Sequence, residues 1–133
     1  MDSLLKVNCI NKKYKDFLDY WKAEQVAKAM SLGYDNFNKD KFYSYLNKFE
    51  IDKNKTVVSM SKGTKMRFMI ASQLARDTKL LILDEPASPL DPLMRDELCD
   101  IFKDYIKDGE SSILFSTHNI ADMEYATDFL IQK

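Results

Sequence analysis

Apolar residues recur at helical spacing through the first half of the chain. In "KYKDFLDYWKAEQVAKAM", residues 13–30, Phe17, Tyr20, Trp21, Val26 and Met30 follow mostly three- and four-residue steps with lysines and acids between them. That spacing predicts an amphipathic helix. "DKFYSYLNKFEI" repeats it with Phe42, Tyr45, Leu46 and Phe49, behind a cap at Asn38 or Asp40. The stretch between them, "SLGYDNFN", reads as a turn because Gly33, Asp35, Asn36 and Asn38 suit loop conformations. A third helix is predicted from Gly63 or Thr64, with Met66, Met69, Ile70 and Leu74 on its apolar face.

Beyond residue 78 the pattern changes. "KLLILDEP" and "SSILFSTH" are short apolar runs of the kind buried on both faces of a parallel sheet. Between them "PLMRDELCDIFKDYIKDG" supplies a crossover helix, with Pro92 in its first turn and Gly109 at its end. Leu98, Ile101, Phe102, Tyr105 and Ile106 are its expected core side. A βαβ unit follows from this order, then a helix from about Ala121 and a last strand "FLIQK".

Composition narrows the function classes. The chain has 133 residues, 45% of them hydrophobic, which suits one ordinary folded domain. Twenty Lys and Arg against 21 Asp and Glu give a formal net charge of -1, so charge makes no case for nucleic acid as a partner. No apolar run approaches the roughly 18–20 residues that cross a bilayer, and the first ten residues lack a secretory core; the expected compartment is the cytoplasm. Cys9, Cys99 and His118 do not form metal-ligand spacing. The only glycines are Gly33, Gly63 and Gly109, so no GxxxxGK[ST] phosphate loop can be written in these residues.

Two adjacent acids, Asp84 and Glu85, end the first apolar strand. Side-by-side charges at the tip of a core strand need compensation, and a metal-bound phosphate provides it. "MSKGTK" at 60–65, "LLILDEP" at 80–86, "SPLD" at 88–91 and "STH" at 116–118 follow one another in an order and spacing that resemble the ATP-binding subunits of ABC transporters. The resemblance covers roughly residues 35–133.

It implies a partial P-loop NTPase core of the α/β class preceded by a small helical subdomain. The division expected is residues 1–76, including the signature turn, and residues 77–133, the second half of the ATPase core. Asp84 takes the place of the Walker B carboxylate that holds Mg²⁺, and Glu85 that of the catalytic base, unless it only caps the next helix. Ser61, Lys62 and Gly63 match the signature turn in part, with Met60, Lys62 and Thr64 replacing the usual Leu, Gly and Gln. Their Ser-Lys-Gly form resembles exporter-type ATPases. Lys62 either adds positive charge toward a phosphate or is a solvated lysine at a helix start. Asp91, in a D-loop with Pro89 in place of alanine, braces a dimer interface or caps the helix behind it. His118 corresponds to the switch histidine at the terminal phosphate.

The family also uses a phosphate loop, an adenine-stacking aromatic residue and a Q-loop, none of which is recognisable here; Gln25 sits in an amphipathic helix. The resemblance therefore implies a fragment that works with ATP and Mg²⁺, a second ATP-binding subunit and transmembrane transporter subunits, peripheral at the inner face of the membrane when assembled. Two other classes fit parts of the pattern: an SMC-type ATPase half, for which the upstream sequence lacks the long coiled coil, and a non-catalytic interaction module.

Overall fold

The computed structural model describes residues 19–117, an α/β arrangement in which helices precede a parallel pair of strands. The order is α1 (Ala23–Gly33), α2 (Lys39–Lys48), a single 3-10 turn (Val57–Ser59), α3 (Lys62–Leu74), β1 (Leu80–Leu83), α4 (Pro92–Ile106) and β2 (Ser112–Phe115). Two compact units meet in sequence at Asp77 and Thr78. The helix expected from about Ala121 and the strand "FLIQK" lie outside the described residues.

Residues 13–18 of the predicted helix, Phe17 among them, lie outside the described residues; over the rest, α1 of the first unit departs from the prediction at both ends. It begins only at Ala23, because the chain before it is held elsewhere: the carbonyls of Trp21 and Asp19 accept the N–H groups of Val57 and Val58 at 2.9 and 2.7 Å. It also runs three residues past Met30, into the predicted turn. Its buried positions are Ala23 and Ala27, four residues apart, whereas Tyr20 is 75% exposed and Val26 and Met30 are half-buried. Alanines let the helix approach its neighbours closely, which the larger apolar residues had masked. Gln25, at the third helical position, reaches back to accept the N–H of Lys22 at 2.9 Å, half of a capping box.

Asn38 caps α2, its Oδ1 accepting the N–H of Lys41 at 3.1 Å. Phe42, Leu46 and Phe49 are buried as predicted. The helix closes in a Schellman arrangement: Ile51 N–H bonds to the carbonyl of Leu46 at 2.9 Å, and Glu50 takes the left-handed position with φ 57°. In α3, Phe68, Ile70, Ala71 and Leu74 are buried, while Met66 and Met69 are only half-buried. Phe68 meets Phe42 edge to face at 5.5 Å between ring centres.

The loop after α1 is stitched to the chain after α3. Phe37 and Arg76 form an antiparallel bridge, Asn38 N–H bonds to Ala75 O at 2.9 Å, and Asp77 N–H to Asn36 O at 3.0 Å.

The second unit is the predicted βαβ. β1 and β2 pair in parallel with Leu80 opposite Ser112, Leu81 opposite Ile113, Ile82 opposite Leu114 and Leu83 opposite Phe115. On α4, Leu98, Cys99 and Phe102 are buried, and Phe102 packs on Phe115 at 5.9 Å between ring centres. The expected burial of both strand faces is met on one face only: Leu81 and Leu83 are buried, whereas Leu80 and Leu114 are 54% and 55% exposed. One helix covers one side of a two-stranded sheet among the described residues. The turn after α4 ends on Gly109 at φ 76°, whose N–H bonds to Ile106 O.

Candidate functional site

The carboxyl end of β1 carries the most specific geometry. Parallel pairing puts Ser116, one residue beyond β2, beside Asp84, one residue beyond β1. The Ser116 hydroxyl donates to Asp84 Oδ1 at 2.6 Å and accepts the N–H of Glu85 at 2.9 Å. Its own N–H continues the ladder to Leu83 O at 3.1 Å. Asp84 is exposed and Glu85 half-buried.

Directly after the strand the chain turns sharply. Glu85 has φ 46°, a left-handed backbone that costs a side-chain-bearing residue about 1–2 kcal/mol. The turn is pinned from below: Pro86, Ala87 and Leu90 are buried, Ser88 N–H bonds to Glu85 O at 3.2 Å, and Leu90 N–H to Ala87 O at 3.0 Å. Arg95 Nε, on the first turns of α4, reaches Ala87 O at 3.4 Å. An apolar base and two main-chain bonds thus hold the two acids at the sheet edge where open α/β folds bind ligands.

Asp91 caps α4, its Oδ1 accepting the N–H of Met94 at 2.8 Å with Pro92 as the first helical residue. Of the two readings open for Asp91, the cap is the one seen among the described residues. His118 lies outside the described residues.

In the first unit the turn at Ser61 opens α3. Ser61 is its N-cap, accepting Thr64 N–H at 3.1 Å and donating to Thr64 Oγ1 at 2.9 Å. The helix starts at Lys62, one residue before Gly63 and two before Thr64. Lys62 is exposed and Gly63 buried. The N–H groups of the first helical turn, Lys62 and Gly63 among them, have no carbonyl partner inside the helix and lie at its positive end, an arrangement that attracts anions. Ser61, Lys62 and Gly63 belong to the first unit, and Asp84, Glu85 and Asp91 to the second.

Among the described residues no group of three or more His, Cys, Asp and Glu could hold a metal. A single exposed carboxylate suits Mg²⁺, which keeps most of its waters and takes one or two carboxylates alongside phosphate oxygens. Ser116 is the residue that the sequence reading missed. Its position two residues before His118 was visible, but pairing it with Asp84 needs the strand register.

Comparisons with known proteins bear on the family and the fold. The family model described as "AAA domain, putative AbiEii toxin, Type IV TA system" matches residues 10–122. The chain belongs to this AAA-domain family. Its curated relatives are ABC transporter ATP-binding proteins. The energy-coupling factor transporter ATP-binding protein EcfA2 of Lactobacillus acidophilus is 37% identical over 118 residues, 81% of this chain and 41% of the relative. The lantibiotic transport ATP-binding protein SrtF of Streptococcus pyogenes is 40% identical over 80 residues, 60% of this chain and 34% of the relative.

A solved structure titled as the dimeric structure of MJ0796, a bacterial ABC transporter cassette, superposes with a TM-score of 0.65 at 20% identity. It covers 80% of this chain and 50% of the cassette. The fold of this AAA-domain chain is therefore that of an ABC cassette in part. The chain spans about two fifths of the length of the EcfA2 protein it matches.

Proposed function

We propose that this chain supplies two separate half-sites of an ABC-type ATPase: in its first unit a signature turn that covers the nucleotide held by a second subunit, and in its second unit an acid pair for the metal and water of its own subunit's nucleotide. The observation that carries the reading is the turn at the end of β1, where Asp84 and Glu85 stand side by side on a braced backbone beside Ser116. The anion-attracting start of α3 at Ser61, Lys62 and Gly63 supports it independently.

In this reading Asp84 would hold Mg²⁺, Glu85 would orient and polarise the attacking water, and His118 would contact the terminal phosphate. Bound Mg²⁺ neutralises charge on the triphosphate. Ser61 and the N–H groups of Lys62 and Gly63 face a phosphate, and Asp91 fixes the angle at which α4 leaves the acid turn. The likeness to SrtF, named for lantibiotic transport, supports an exporter-type role. The cassette titled as dimeric supports a second ATP-binding subunit as one partner, and the name of EcfA2, a transporter ATP-binding protein, supports transmembrane transporter subunits as the other; in this reading the chain is peripheral at the inner face of the membrane when assembled.

Because these 133 residues contain no GxxxxGK[ST] loop, the triphosphate must be cradled by residues outside them. Phosphoryl transfer depends on positioning, so the chain alone is expected to turn over no ATP above background. Phosphate release from purified chain checks this: turnover that disappears in Glu85→Gln would overturn the half-site.

A further inference from the structure

The hydroxyl of Ser116 is engaged twice, and each engagement concerns one of the two acids. It gives its single proton to Asp84 Oδ1 at 2.6 Å and takes the N–H of Glu85 on a lone pair at 2.9 Å. A hydroxyl is both donor and acceptor through one atom, which neither an apolar nor a purely cationic side chain can be. The bonds are exposed to solvent, where a hydrogen bond adds little to stability because water replaces it readily. Their effect is on direction: one fixes which carboxylate oxygen of Asp84 is turned to the neighbouring strand, the other holds Glu85 N–H while that residue sits at φ 46°.

We infer that Ser116 is the positioning residue of the acid pair, setting the Asp84 carboxylate for a divalent cation and the Glu85 backbone for its left-handed turn. The inference rests on the reading of Asp84 as the cation carboxylate. It gives β2 a part in the site before His118 is reached, because Ser116 ties the ends of both strands through Leu83 O, Asp84 and Glu85. Threonine is the one other side chain of similar size that carries the same hydroxyl on the same carbon. Valine has threonine's shape without the hydroxyl. The pair Ser116→Thr and Ser116→Val therefore separates hydrogen bonding from packing.

The test uses the full 133-residue chain with Mn²⁺ as the probe. Amide exchange at Glu85 is measured by NMR, together with Mn²⁺-induced line broadening at residues 83–86 and 115–117. Ser116→Val is expected to speed Glu85 exchange about tenfold and to raise the Mn²⁺ concentration for half-broadening by roughly three- to tenfold. Ser116→Thr is expected to stay within about twofold of wild type in both, since the donor and acceptor are kept. Asp84→Asn is expected to lose the broadening. Should Ser116→Val match wild type in exchange and in Mn²⁺ response while Asp84→Asn loses it, the positioning role is wrong and the cation site stands. Should Asp84→Asn broaden like wild type, the cation reading is wrong and the role of Ser116 goes with it. Ser116→Ala serves in place of Ser116→Val if the branched variant does not fold.

Discussion

The guanidinium of Arg76 lies 4.1 Å from the centre of the Tyr34 ring, with its Nη1 on Gln73 Oε1 at 3.4 Å. Arg76 is 8% exposed, so its charge is largely withdrawn from water, and an aromatic face is one of the groups that receives it. A stacked cation in a desolvated place contributes about 1–2 kcal/mol. Tyr34→Leu keeps an apolar contact but removes the electron-rich face, and is expected to lower stability by about 1 kcal/mol. Urea unfolding of the first unit reads it as a lower midpoint at unchanged slope.

Glu50 occupies the left-handed position that closes α2, and glycine takes that position without the steric penalty. Glu50→Gly is expected to stabilise the protein by about 0.5–1 kcal/mol, offset in part by the greater freedom of the unfolded chain. A rise in the urea midpoint checks it; a fall would mean that the Glu50 side chain contributes more than the strain costs.

The two glycines at helix ends are expected to respond in opposite directions. At Gly33, within α1, an added Cβ meets nothing within 4 Å and the backbone is helical, so Gly33→Ala should stabilise by about 0.4–1 kcal/mol. At Gly109 an added Cβ also meets nothing, but φ is 76°. Gly109→Ala should destabilise by about 1 kcal/mol through the backbone alone, with Gly109→Asn losing less. Thermal unfolding of the two alanine variants side by side measures the difference.

Ser61 combines a structural and a proposed ligand-facing task. Ser61→Ala removes the cap on Thr64 N–H and is expected to cost about 1 kcal/mol. Ser61→Asp keeps a cap acceptor and places a negative charge at the positive helix end, so stability is expected to be retained. That same charge repels a phosphate. ATP-dependent association with a phosphate-loop partner is therefore expected to fail in Ser61→Asp despite intact folding, and association that survives would remove the start of α3 from the proposed site.

Much of this molecule can be read from periodicity, and the errors have local causes. α2 and α4 are legible because their caps and apolar spacing agree: Asn38 with Phe42 and Leu46, Asp91 and Pro92 with Leu98 and Phe102. α1 is misplaced because its buried face is built from Ala23 and Ala27, which carry almost no hydrophobic signal, while main-chain bonds from Val57 and Val58 hold the chain at Asp19 and Trp21 out of the helix. The one-sided burial of the strands was also hidden, since an apolar run does not say how many of its faces are covered.

At the site, Asp84 and Glu85 announce themselves as neighbours at a strand end. Ser116 could not be seen, because it meets Asp84 from 32 residues away through a strand register that no local pattern encodes.

The left-handed turn at residue 85 has a consequence for any attempt to improve this protein. The backbone there favours glycine or asparagine, whereas the proposed chemistry needs a carboxylate, so the two demands select different residues at one position. A library screened only for resistance to heat should enrich Glu85→Gly and report success. Such a screen would erase the proposed water-polarising acid while making a sturdier molecule, and the preference for glycine in that screen would measure how much strain the native glutamate tolerates.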